Sequence, residues 1–130
     1  MLTINPLRGS LREGWRVPAS FTAAGKVVLA YHPDRRILLE RIIKNVPEAH
    51  DLDLMALLDE FAAIRDRGFA FSRSGWTRGI NSIACPIGNE NAPPLGALAL
   101  IVPSERLTDE AVPKAALSVM KATAQINDVL

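Results

Sequence analysis

The sequence predicts an α+β fold in which helices pack on an antiparallel sheet, and three observations carry that expectation. Apolar residues recur at helical spacing in three successive segments between residues 22 and 67. Three strand-like runs separated by turn-forming residues follow between residues 69 and 102, and a last helical period closes the chain.

Taken in order, Leu2 and Ile4 followed by Pro6, Gly9, Ser10 and Gly14 predict a short strand and then irregular chain over residues 1–16. A strand without its neighbours leaves a sheet edge unpaired. Thr22 can cap a helix from Ala23 to about His32, with Ala24, Val27, Val28 and Tyr31 on one face and Pro33 ending it. Asp34 offers the next cap, for a helix to about Asn45 with Leu38, Leu39, Ile42, Ile43 and Val46 as its apolar stripe. After Pro47 the segment Asp53 to Arg67 has the cleanest period in the chain: Leu54, Leu57, Leu58, Phe61 and Ile64. Asp53 or Asp51 begins this helix, Arg65 and Arg67 put cations in its last turn, and Gly68 supplies a left-handed stop. The strand-like runs are Phe69 to Arg73, Ile80 to Ile87 and Leu95 to Val102, with Asn89 to Pro94 as the loop of an antiparallel hairpin. Thr108 can cap a C-terminal helix that turns Val112, Ala116, Val119, Met120, Ile126 and Leu130 inward. Pro113 lies too deep for an ordinary first turn, so a separate turn or a kink is expected where that helix starts.

With 130 residues, 48% hydrophobic and 22% charged, the chain suits one globular domain with a real core and leaves no room for a second. Its formal charge of +1 comes from Arg and Lys spread along the chain, which argues against a surface built to neutralise phosphates. The single Cys85 cannot form an intramolecular disulfide. No signal peptide or apolar run of membrane-spanning length is visible, and a cytoplasmic location is expected.

Alternation along the strands gives the most useful clue to function. One parity carries Ala70, Ser72, Ser82, Ala84, Ala97, Ala99 and Ile101; the other carries Phe69, Phe71, Ile83, Ile87, Leu98, Leu100 and Val102. The bulky face is a core face. The small face leaves volume that either a closely approaching helix or a ligand must fill.

Two spaced blocks then tie the chain to a family. In the run Val17 to Tyr31, residues Pro18, Ala24, Gly25, Lys26, Leu29 and Ala30 fall in register with a P-x-x-x-x-x-A-G-K-x-x-L-A pattern. Farther on, Arg65, Arg67, Gly68, Phe69, Ala70, Gly79, Ile83, Ala84, Pro86 and Ile87 fit an R-x-R-G-Y-A … G-x-x-x-I-A-x-P-I block. Together they resemble the effector-binding, C-terminal domain of the IclR family of bacterial transcriptional regulators, from about Gly14 to the C-terminus. The resemblance implies a GAF-like sheet with helices packed on it, and a pocket between the small face and the helix beginning at Ala23. It also implies that residues 1–130 form a single, partial effector-binding domain. The family's winged helix-turn-helix domain is not visible in this sequence, so a fragment or a shortened homologue is expected, with DNA contact made only through that missing domain.

By the same resemblance the pocket is lined by Thr22, Ala23, Ala24, Ser72, Ser82, Ala99 and Ile101. Backbone N–H groups at a helix start attract an anion whatever the side chains; Thr22 can add a hydroxyl or serve only as the cap. Departures from the family pattern make the pocket more apolar than in its acid-binding members. Ser72 is followed by Arg73, Ser74 and Gly75 instead of a carboxylate, Ala99 and Ile101 replace serines, and Ser82 stands where some relatives carry cysteine. A compact, largely apolar acid or aromatic is the expected effector, and dimers or tetramers the expected assembly.

The remaining candidates have plainer roles. Cys85, on the bulky parity, is expected to be an inert small hydrophobe. His32 and His50 border loops with no ligand-like spacing, so no metal or other cofactor is expected. Trp76 can lid the pocket, join an interface or anchor its loop. No nucleophile, base and orienting group form a catalytic pattern. The chain is therefore expected to be an effector-binding and oligomerising domain; a ligand-free interaction module, and after it a small cytosolic enzyme, are the alternatives.

Overall fold

The computed structural model describes residues 21–74, 78–88 and 92–130. The expected N-terminal strand, Pro18 and Val17, Gly75, Trp76, and the Asn89–Asn91 part of the hairpin loop lie outside the described residues. Within them the order is α1 (Ala23–Tyr31), α2 (Arg35–Asn45), α3 (Leu54–Arg67), β1 (Ala70–Arg73), β2 (Ile80–Ile87), β3 (Gly96–Pro103) and α4 (Val112–Asp128), an α+β fold. Short 3-10 turns at Pro47–Ala49 and Ser104–Arg106 complete it.

Local chemistry sets the helix ends. The Thr22 hydroxyl accepts a hydrogen bond from the Gly25 amide at 2.9 Å, capping α1. Asp53 does the same for α3 through the Ala56 amide, and Gly68 closes α3 with φ of 91°. Asp34 precedes α2 but makes no side-chain cap bond. Ahead of α4, the amides of Ala111 and Val112 both bond to the Thr108 carbonyl, a separate turn that leaves Pro113 inside the helix's first turn.

The three strands form one antiparallel sheet in the order β1-β2-β3. Its register lays rows across the sheet: Ala70, Ala84 and Ala99 in one, Ser72, Ser82 and Ile101 in the next. Helices cover both faces. Helix α1 lies on the small face, where Ala23, Val27, Leu29, Ala30, Ala70 and Ala84 join Leu39 of α2 and Leu57, Phe61 and Ile64 of α3 in one buried cluster. Helix α4 lies on the bulky face, where Ile83, Cys85, Leu107, Ala116 and Val119 are buried with Phe69, Phe71, Leu98 and Val102 around them.

Two expected core residues of α4 are misplaced by the sequence pattern: Met120 and Leu130 are exposed, Leu130 at the very end of the chain. Thr123 takes an inward position instead, its hydroxyl donating to the Val119 carbonyl at 2.6 Å. Helix α1 is more enclosed than its one-faced pattern predicts, since Ala23, Leu29 and Ala30 are buried as well as Val27. A helix held between a sheet and two other helices has little outer face left.

The β1–β2 hairpin is fixed by buried Asn81. Its carbonyl accepts from the Ser74 amide at 3.1 Å, and its side-chain amide donates to the Leu107 carbonyl at 3.0 Å. Ser74 has a positive φ of 49°, and its hydroxyl accepts from the Gly79 amide. Asn81→Leu keeps the volume but orphans the buried Leu107 carbonyl and frees the Ser74 turn. We expect a loss of about 1 to 3 kcal/mol, seen as a lower urea midpoint at unchanged slope.

Candidate functional site

At the start of α1 the small face of the sheet changes from alanine to a row of Ser72, Ser82 and Ile101. Beneath the body of the helix, Ala70 and Ala84 are wholly buried and Ala97 and Ala99 pack against the same cluster, so methyl groups let the helix backbone approach the strands. One row farther along, at the level of the helix N-terminus, the side chains are Ser72, Ser82 and Ile101. Ser72 is 5% exposed, Ser82 is half-buried and Ile101 is 38% exposed, so the row opens from β1 toward β3.

Polar groups converge at the closed end of that row. The Ser72 hydroxyl donates to the Phe21 carbonyl at 3.3 Å, tying β1 to the residue before the Thr22 cap. Thr22 is committed to Gly25, and its carbonyl accepts from the Lys26 amide. The amides of Ala23 and Ala24 have no acceptor among the described residues, although Ala23 is fully buried. Two N–H groups at a helix start, with the partial positive charge of the macrodipole behind them, favour an anionic or strongly accepting ligand atom.

The seven residues expected to line the site thus fall at one end of α1 and on two adjoining rows of the sheet. Thr22, Ala23, Ala24 and Ser72 stand together, Ser82 and Ile101 continue the row toward solvent, and Ala99 belongs to the row under the helix body.

Other residues hold this arrangement through partners that the sequence patterns did not reveal. Lys26 of the A-G-K block pairs with Glu60 at 2.9 Å, joining α1 to α3. Arg65 donates to the Ala30 carbonyl at 2.9 Å at the far end of α1. The family blocks include Lys26 and Arg65, but a conserved-looking letter does not reveal its partner across 34 or 35 residues of chain.

A concavity of about 310 Å³ lies away from these residues, between the C-terminal half of α4 and the ends of α1 and β2. Tyr31, Gly68, Cys85, Met120, Thr123 and Asn127 are among its walls. Cys85 is almost fully buried there; burial pushes its thiol pKa up, and a hydrogen bond with Thr123 offsets part of the rise. His32 Nδ1 accepts from the Asp34 amide, and His50 Nε2 lies 3.2 Å from the Lys44 carbonyl, both local turn contacts. Among the described residues no group of three or more His, Cys, Asp or Glu could hold a metal ion, and no helix is long and apolar enough to cross a membrane.

Comparison with known proteins agrees with this architecture. The family described as "Bacterial transcriptional regulator IclR C-terminal" matches residues 3–128. The Pca operon regulatory protein of Acinetobacter baylyi is 30% identical over 129 residues, covering 94% of this chain and 44% of that protein. The IclR of Thermotoga maritima superposes with a TM-score of 0.79 at 24% identity, over 92% of this chain and 49% of that one. A double mutant of the PobR inducer-binding domain from Acinetobacter, solved with 3-hydroxybenzoic acid, gives a TM-score of 0.72 at 24% identity, over 90% and 69% of the two chains. The chain therefore spans less than half the length of the Pca operon regulatory protein.

The raised Cys85 pKa sets a pH dependence. The folded state holds the thiol proton more tightly than the unfolded chain, where a thiol titrates near about 8.5. The stabilisation is fully present below that pH and declines as pH rises through the folded-state value. Thiol labelling at pH 8 is expected to be slow in the native protein and fast in denaturant, with unfolding free energy falling as the solution is made more alkaline.

Proposed function

This chain belongs to the IclR C-terminal family of bacterial transcriptional regulators, and from that premise we propose that it is an effector-binding domain whose ligand sits at the N-terminus of α1. The observation that carries the proposal is the pair of amides at Ala23 and Ala24, one of them in a fully buried residue and both without an acceptor among the described residues. A ligand carboxylate or carbonyl oxygen meets those amides, and its apolar body lies along Ser72, Ser82, Ala99 and Ile101, with Thr22 at the cap.

The lining selects the ligand's chemistry. Ser72 already donates to the Phe21 carbonyl, and Ala99 and Ile101 offer no hydroxyl. A small acid bearing several hydroxyl or keto groups would leave buried polar atoms unpaired at about 1 to 3 kcal/mol each. A compact acid with one anionic end and a ring or short alkyl body fits better. The PobR domain, of the same fold, is one that holds such an aromatic acid.

In an intact cytoplasmic regulator, ligand binding here changes how copies of this domain sit against one another, and so the spacing of DNA-binding domains carried elsewhere in the protein. DNA contact belongs to that separate helix-turn-helix part and self-association to this one. A ligand-free interaction module is the second reading, favoured by the complete filling of the sheet beneath the body of α1 by Ala70 and Ala84.

Isothermal titration with benzoate and its hydroxy derivatives separates the two. We expect saturable binding that Ala24→Pro weakens about tenfold or more, since a hydrogen bond to a charged group contributes about 1.5 to 3 kcal/mol and helices accept proline in their first turn. Unchanged affinity in that variant, or no binding by any compact acid, contradicts the proposed site.

A further inference from the structure

The concavity beside α4 lies at the opposite end of α1 from the Ala23 and Ala24 amides, since its wall includes Tyr31, the last residue of that helix. The ends of α1 and β2 and the C-terminal half of α4 meet there. Its volume of about 310 Å³ is that of a pocket for a small organic molecule. Backbone geometry helps to make the space. Gly68, at φ of 91°, brings main chain and no side chain to the wall, where a Cβ would meet the terminal carbon of Met120 at 3.3 Å. Met120 in turn is an unbranched thioether that can adjust its rotamers to a bound molecule.

The described wall groups are of one chemical kind. Tyr31, Ile87, Pro94 and Met120 supply ring and alkyl surface. Cys85 keeps its proton, because burial pushes the thiol pKa up. The Thr123 hydroxyl donates to the Val119 carbonyl at 2.6 Å. Asn127 is the directional group. Its Oδ1 accepts from the Gly88 amide at 3.0 Å, and that bond fixes the carboxamide while leaving the two N–H donors of Nδ2 for a bound molecule. A charged molecule entering here exchanges its hydration for thioether, thiol and ring carbon, which return little of it. A neutral carbonyl gives up less and gains the Asn127 donor.

We propose that this concavity is a ligand site distinct from the one at the start of α1, and that it takes a compact, uncharged ring compound bearing a carbonyl. The ring lies against Tyr31, Pro94 and Met120, and the carbonyl oxygen accepts from Asn127 Nδ2. The two ends of α1 then select opposite chemistries: an acceptor with negative charge at the amides, a neutral molecule at Tyr31. The inference does not rest on the effector site.

Benzoate, benzamide and benzamidine have nearly the same shape and carry negative, zero and positive charge, so amide chemical shifts of the full chain titrated with each test the proposal. We expect benzamide to shift Cys85, Gly88, Thr123 and Asn127 saturably, with benzoate and benzamidine about tenfold or more weaker at the same amides. Ala124→Trp, at an exposed wall position on α4, fills the space from outside the core and is expected to weaken benzamide about tenfold or more. Asn127→Asp keeps an acceptor for the Gly88 amide and removes the donor, and is expected to weaken it about threefold or more. Circular dichroism confirms that each variant is folded; should either unfold, the wild-type shifts with the three probes decide. Equal binding of all three probes at these amides, or tighter binding of benzamidine, would overturn the neutral class of ligand. Benzamide shifts that fall on Ala23 and Ala24, or none at all, would overturn the site. Benzamide at the concavity with no benzoate at Ala23 and Ala24 would remove the effector reading and leave this one standing.

Discussion

The close approach of α1 to a sheet face made of alanine and serine is the constraint on which the rest of the structure depends. Ala70 and Ala84, with Ala97 and Ala99 beside them, keep the side chains beneath the helix small. The helix answers with Ala23, Val27 and Ala30, all fully buried. A larger residue at any of these positions would lift the helix off the strands and expose the cluster that Leu39, Phe61 and Ile64 share with it. Polar ties at both ends fix the helix along its own axis: Ser72 to the Phe21 carbonyl near its start, Lys26 to Glu60, and Arg65 to the Ala30 carbonyl near its end. What results is a helix N-terminus, tied at both ends, whose first two amides have no acceptor among the described residues, which is the element an anion-binding site needs.

The two faces of the sheet divide the work. On the bulky face, α4 packs over Ile83, Cys85, Leu98 and Val102 and contributes Ala116 and Val119, a layer with stability as its evident purpose. On the small face Ala70 and Ala84 are fully buried under the helix body, and along the next row exposure rises from Ser72 at 5% to Ile101 at 38%.

Much of this was legible in the sequence, for identifiable physical reasons. Helix α3 carries an unbroken apolar period, an aspartate cap and a glycine in the left-handed region, and the expected bounds match within a residue. Strand parity separated the two sheet faces correctly because side chains alternate strictly in β2 and β3, and the hairpin register then set the rows. Helix α4 was harder. Met120 and Val119 are adjacent apolar residues about 100° apart on a helix, and only packing against β2 decides that Val119 goes in. Thr123 was overlooked because a hydroxyl reads as a surface group until its bond to the Val119 carbonyl is seen. The ion pair of Lys26 with Glu60 and the lack of an acceptor for the Ala23 and Ala24 amides among the described residues depend on tertiary placement, which periodicity does not encode. The family resemblance supplied the location proposed for the pocket, whereas the residues themselves left helix packing and ligand binding open.

Amide chemical shifts measured during titration with benzoate test the central claim most directly. If α1's N-terminus holds the effector, the largest changes fall on the Ala23 and Ala24 amides, with smaller ones along Ser72, Ser82 and Ile101. Shifts confined to Tyr31, Cys85, Met120 and Asn127, around the concavity beside α4, would contradict the account and move the ligand to the far end of the same helix.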